Sequence, residues 1–266
     1  MEATATTLHF FRCLTVLPPL GRSLLVLALV AIFAVKSPTA VVADEMHMGW
    51  DGCTLEGASE AAQFACDTDA GAHVVVTSFV LNSGFSGFVA LEAYVFIGTI
   101  GTNSTLPDWW KTTAGSCREG AITTSFDFLD SPQVNCFDPW FGQAISSPTM
   151  IDVITTPDLP PHGSSTFSRV RLGATLPSGS TDLEAGKEYL AFKLRVSHAG
   201  TTGPEACDAC CERAGLMVSQ MTLFNAADAV TLINQSAPAE WQAPTTGCRP
   251  VPALARSWGQ VRGMYR

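Results

Sequence analysis

The sequence predicts an all-β chain, a single antiparallel β-sandwich of jelly-roll or immunoglobulin-like type, stapled by disulfides and carrying short helical segments. Three observations predict it. Eight runs rich in Val, Ile, Phe and Thr are separated by Gly, Pro and Ser. Eight cysteines lie beyond an apolar leader, an even set that reads as four disulfides in an exported chain. Amphipathic helical periodicity is short wherever it occurs. The composition agrees: 47% of the 266 residues are hydrophobic and 15% are charged, below the roughly 25% of an ordinary soluble domain. A formal charge of −9 opposes binding to phosphate backbones, so no nucleic-acid partner is expected.

Residues 1–43 read as a signal peptide. Arg12 and Arg22 form a basic n-region, Leu24 to Val35 an unbroken apolar stretch, and Val41-Val42-Ala43 a small-residue cleavage site. Lys36 ends the stretch short of the ~20 apolar residues that a membrane span needs. No second span follows, so the mature chain is expected to be exported and extracellular, surface-held or periplasmic. Without the leader it holds 12 basic and 23 acidic groups, a net of −11.

The strand runs then follow in order. His73 to Leu81 and Phe88 to Ile100 flank the turn residues Asn82-Ser83-Gly84. Ala121 to Leu129, Thr149 to Thr155, Phe167 to Leu176, Lys187 to His198, Leu216 to Phe224 and Asp228 to Ile233 complete the set. In Lys187 to His198 the alternation predicts Leu190, Phe192, Leu194 and Val196 inward, with Tyr189, Ala191, Lys193 and Arg195 wetted. Helix signals cover Leu106 to Lys111 and the stretch after Asp138, where Asp138 is placed to cap and Pro139 to open the first turn. No linker divides residues 44–248, which are expected to form one domain.

Cys53, Cys66, Cys117, Cys136, Cys207, Cys210, Cys211 and Cys248 make up the cystine set. Local proximity favours Cys53 with Cys66 and Cys117 with Cys136, leaving Cys248 for one of the 207/210/211 group. The rival zinc reading of Cys207-Asp-Ala-Cys210 lacks a second ligand pair at close spacing.

The last eighteen residues reverse the charge. Residues 44–248 carry 8 basic and 23 acidic groups, whereas 249–266 carry four arginines and no acid. Within this tail Trp258, Val261 and Tyr265 fall on one face of a short helix, to be docked on the chain's own acidic domain or read by another protein or the cell surface.

Several motifs together carry a resemblance: Leu106-Pro107-Asp108-Trp109-Trp110, Gly115-Ser116-Cys117-Arg118, Cys136-Phe137-Asp138-Pro139-Trp140, Gly186-Lys187-Glu188-Tyr189, and Trp258-Gly259-Gln260-Val261-Arg262 with Tyr265-Arg266. With these the chain resembles a family of secreted bacterial proteins to which no activity attaches. The resemblance implies bacterial export and little more. In architecture the strand string is also similar to cohesin-like and carbohydrate-binding sandwiches, an analogy of fold and not of site.

Candidate chemistry is sparse. No nucleophile elbow, zinc-binding helix, P-loop or dinucleotide turn occurs. His162 sits in a Pro-Pro-His-Gly-Ser-Ser stretch with the composition of a solvated loop. Asp127 and Asp138 are the acids that a glycosidase pair would use. Asp67-Thr68-Asp69-Ala70-Gly71 opens like a calcium loop, but Gly71 and Ser78 stand where the fifth and twelfth positions want oxygen ligands, so any calcium would be structural and no other cofactor is expected. Trp109, Trp110 and Trp140, with Trp50 and Trp241, offer flat rings for sugar stacking or for core packing. Sequons at Asn103 and Asn234 mark surface loops. The expected function is a non-enzymatic structural or binding module for carbohydrate or a cell-surface protein; the alternative is a secreted hydrolase using scattered carboxylates.

Overall fold

A computed structural model describes residues 45–100, 105–129, 135–155, 166–177, 179–233 and 237–242. Expectations for the leader, His162, Asn103, Asn234, Cys248 and the tail residues Trp258, Val261 and Tyr265 lie outside these residues. The described strands all belong to the unit Ala40–Arg266.

The eight runs all meet strands: β3 (Ala72–Val80), β5 (Ala90–Thr99), β6 (Ile122–Ser125), β8 (Met150–Thr155), β9 (Thr166–Thr175), β11 (Glu188–Ser197), β12 (Ala214–Phe224) and β13 (Ala229–Leu232). Six more were not read from the pattern: β1 (Glu45–Trp50), β2 (Ala61–Ala62), β4 (Phe85–Phe88), β7 (Ile145–Ser146), β10 (Thr181–Leu183) and β14 (Ala239–Trp241). Five of these six have at most four residues, too few to show an alternation. The sixth, β1, mixes Met, His and Gly in place of the branched residues that mark the other runs.

The chain is thus almost entirely β. One sheet has the order β1-β3-β11-β6, a second β2-β14-β12-β5-β9-β7, and β4 with β10 forms a separate two-stranded ribbon. Strand β13 pairs with β12 and β8 with β9. Pairing is antiparallel except where β14 runs parallel to β2 and at the Phe137–Tyr189 bridge, so the purely antiparallel expectation needs correction. The inner faces share one core, in which Val75, Phe79, Phe192 and Leu194 of the first sheet join Val95, Ile97, Leu216 and Leu223 of the second.

Strand β11 departs from its predicted pattern. Only Arg195 is exposed along it, and Tyr189, Ala191 and Lys193 are buried. A register shift between Leu190 and Phe192 turns Tyr189 onto the face of Phe79, where the two rings stack, and segment 136–140 pairs along the edge of β11: Phe137 N donates to Glu188 O, Leu190 N to Phe137 O, and Trp140 Nε1 to Ala191 O at 3.0 Å. Lys193 carries its ammonium over the Phe128 ring, 5.3 Å from the centroid, so its stem lies buried while its charge keeps a partner. The helix expectations also shrink. Asp108–Trp110 is a single 3₁₀ turn, and Asp138 caps a turn, with Trp140 N and Gly142 N donating to its two oxygens at 2.9 and 3.3 Å.

The disulfides correct the local pairing. Cys53 joins Cys136, Cys66 joins Cys210 and Cys117 joins Cys207, with Cα separations of 6.6, 6.1 and 5.9 Å. Cys211 is disulfide-bonded as well. Proximity in sequence failed because strands separate neighbours along the chain and bring distant segments to the same end of the molecule.

Candidate functional site

The tryptophans are core, the second of the two roles their rings offered. Trp109, Trp110 and Trp140 are all 0% exposed, so no ring face is free to stack. Trp241 lies at the centre of the first cluster, with ring centroids of Phe64, Trp109, Trp110 and Trp50 at 4.3, 4.7, 5.5 and 5.7 Å. The indole N–H groups of Trp50, Trp109 and Trp241 donate to Glu240 O, Thr201 Oγ1 and Cys210 O, so each ring is fixed by its polar edge. Arg118 completes the cluster. Its guanidinium stacks on Trp109 at 3.4 Å and donates to the carbonyls of Trp109, Ser197 and Ala199, while burial lowers its pKa to about 10.

Neither acidic expectation forms a metal site among the described residues. One oxygen of Asp69 accepts the backbone N–H groups of Thr201 and Thr202 at 2.7 and 2.8 Å, and these bonds hold its carboxyl below the usual range. It pins one loop to another, and Asp67 joins no group of three close ligand atoms. The one such group among the described residues is Cys53, Cys136 and Glu188. Its sulfurs are joined as cystine and offer no thiolate. The Glu188 carboxylate accepts from Thr54 N at 3.1 Å, Leu55 N at 3.0 Å and Ser78 Oγ, so the cluster is a structural brace.

Asp127 and Asp138 lie within electrostatic reach of each other. Burial raises the Asp138 pKa, and the nearby Asp127 charge adds to the rise against the three backbone N–H bonds that lower it. Asp127 lines a polar recess of about 220 Å³ with Thr124, Ser125 and Ser146. Its Oδ1 is engaged by Leu129 N.

Two histidines that the sequence analysis left unassigned also meet. His73 and His198 meet at a tilt of 47° with centroids 4.5 Å apart, and the His73 centroid lies 3.6 Å from that of the Phe64 ring. His198 is 9% exposed, and neither of its nitrogens has a hydrogen-bond partner among the described residues. Burial and then the His198 charge lower the His73 pKa, with Asp51 opposing them.

An apolar-lined recess lies elsewhere, on the outer face of the second sheet. A groove of about 580 Å³ runs between Ala90 and Glu92 of β5, Arg171 and Gly173 of β9, and the β7–β8 corner with Ile145, Pro148 and Met150. Period-2 alternation sets its floor: Leu91 and Leu172 point into the core, leaving Glu92 and Arg171 outside, where Arg171 Nε bonds Glu92 Oε1 at 2.6 Å. Ser147 holds the corner by donating its N–H and hydroxyl to Gly173 O at 2.8 and 3.0 Å. Ile145 and Met150 stand 57% and 61% exposed beside it. No sequence motif marks this groove, since its parts come from five strands. The cue that was present is the apolar composition of Met150-Ile151-Asp152-Val153-Ile154, a run with only one charge.

No protein-family model matches the chain, and no curated protein matches it. Among solved structures the chain aligns with one described as "Structure of Iho670 Flagellar-like Filament", at 9% identity and a TM-score of 0.20, covering 87% of this chain and 98% of that one. A score this low carries no argument about fold or function.

Proposed function

We propose that the protein is an exported, disulfide-stapled β-sandwich that binds another polypeptide and carries out no chemistry of its own. The observation supporting this is the groove on β5, β9 and the β7–β8 corner, which opens directly onto the exposed strand β8. A strand edge supplies main-chain donors and acceptors, and an adjoining apolar recess takes one side chain, the combination by which sheets recruit extended segments. Carbohydrate fits less well, because the tryptophans are buried and apolar side chains line the groove. The long-range cystines agree with export, as does the absence, among the described residues, of any helix long and apolar enough to cross a membrane.

The test is hydrogen exchange on the purified protein against an array of extended peptides, with a glycan array in parallel. Peptide binding that slows exchange in β8 and is lost in Met150→Glu supports the reading. Glycan binding with no peptide binding overturns it. The hydrolase alternative draws on the Asp127–Asp138 proximity alone; polysaccharide cleavage abolished by Asp138→Asn would establish it.

A further inference from the structure

Strand β8 is the exposed margin of the second sheet. Its residues pair with β9 along their whole length, from Met150 opposite Arg171 to Thr155 opposite Thr166. Among the described residues no strand pairs with its other edge. The six-residue edge strand of the other sheet, β1, is protected by burial, with Met46, Met48 and Trp50 at 1–3% exposure. In β8 Met150 is 61% and Val153 44% exposed. Edges are normally guarded by charge, proline or a bulge. Here the sole charge is Asp152, and Arg169 neutralises it through two bonds, Nε–Oδ1 at 3.0 Å and Nη2–Oδ2 at 2.5 Å.

We infer that this edge pairs with the same edge of a second copy, joining two molecules into one continuous antiparallel sheet about a two-fold axis. The inference rests on the proposed binding reading and names its partner. Electrostatics select that partner surface. The chain is acidic overall at −9, so two copies repel across most of their surfaces. Strands β5, β8 and β9 carry Glu92 and Asp152 against Arg169 and Arg171, a strip of zero net charge.

Geometry then selects the register. A two-fold axis perpendicular to an antiparallel pair keeps opposed residues on the same face, so the axis must pass beside a residue and its own copy. Centring on Asp152 would set like charges directly opposite, which is destabilising. Centring on Val153 pairs valine with valine, Ile151 with Thr155 of the second copy, and Asp152 with Ile154 of the second copy. A strand of six residues forms an interface at the small end of the specific range, so the dimer is reversible with a dissociation constant of about micromolar or weaker.

Sedimentation velocity of the purified full chain over micromolar to millimolar concentrations, together with a cysteine trap, tests this. The expected result is a concentration-dependent dimer whose dissociation constant rises about tenfold or more in Val153→Lys, with an unchanged melting temperature showing that the variant is folded. Val153→Cys should give a disulfide-linked dimer under mild oxidation, and Thr123→Cys, exposed on β6, should not. A monomer at every concentration, or equal cross-linking of the two cysteine variants, overturns the inference. A monomer that still binds peptides along β8 overturns self-pairing and leaves the binding reading standing. A monomer that binds no peptide overturns both.

Discussion

Removing both Cys66 and Cys210 separates the observed cystine framework from the local one most sharply. In isolation the bridge closes a loop spanning 144 positions, but the other bridges shorten the path. From Cys66 the chain runs thirteen residues back to Cys53 and crosses to Cys136. It then runs nineteen back to Cys117, crosses to Cys207 and reaches Cys210 in three more, a closed loop of roughly 35 residues. The chain-entropy relation gives about 4 kcal/mol for such a loop, against about 3 kcal/mol for a local Cys53–Cys66 loop. At 2–4 °C per kcal/mol for a domain of this size, the Cys66→Ala/Cys210→Ala protein should melt about 8–15 °C lower in calorimetry. Thiol counting supplies the second readout. The observed pairing frees no thiol in the double variant beyond any the parent has, because Cys66 and Cys210 are each other's partner. Local pairing would strand Cys53 and whichever cysteine held Cys210. Two titratable thiols, or a melting temperature within ~2 °C of the parent, would refute the framework.

Three further outcomes follow from the packing. Because the folded His73 pKa lies below its unfolded value, the unfolded chain takes up a proton first as pH falls. Stability is therefore full above about pH 6.5 and declines below it, with a slope under ~1.4 kcal/mol per pH unit since His73 is partly solvated; melts from pH 8 to 5 should show this, and His73→Phe should flatten the decline. Glu188→Ala orphans Thr54 N, Leu55 N and the Ser78 hydroxyl, which should cost about 2–4 kcal/mol in denaturant unfolding; a change below ~0.5 kcal/mol would show that the carboxylate braces nothing. Gly98→Ala drives a methyl to 2.6 and 2.7 Å from the buried Phe167 ring, so a loss of about 1–3 kcal/mol is expected in the same assay.

Much of the fold was legible and little of the site. Runs such as Phe167 to Leu176 carry their own evidence, since branched and aromatic residues suit a pleated surface and turn residues bound them. The two-residue strands β2 and β7 carry none, because neighbours create them. In the candidate site Trp109 and Trp140, which the sequence left open to sugar stacking or core packing, are core, while Met150 and Val153, unremarkable in sequence, are exposed surface. Hydrophobicity states how strongly a side chain avoids water, and it does not say whether another segment arrives to cover it. Segment 136–140 arrived along the edge of β11, whereas no described strand pairs with the outer edge of β8.

By itself the sequence determined that this chain would be β and that it would be acidic, because these depend on local alternation and on counting. Only the tertiary structure decided which cysteines pair, which tryptophans are hidden, which histidines touch and which strand is left as an edge. Those outcomes depend on contacts between residues 50 to 190 positions apart, such as Trp50 with Glu240. Such contacts exist only when the sheets have formed and packed, so no local pattern encodes them.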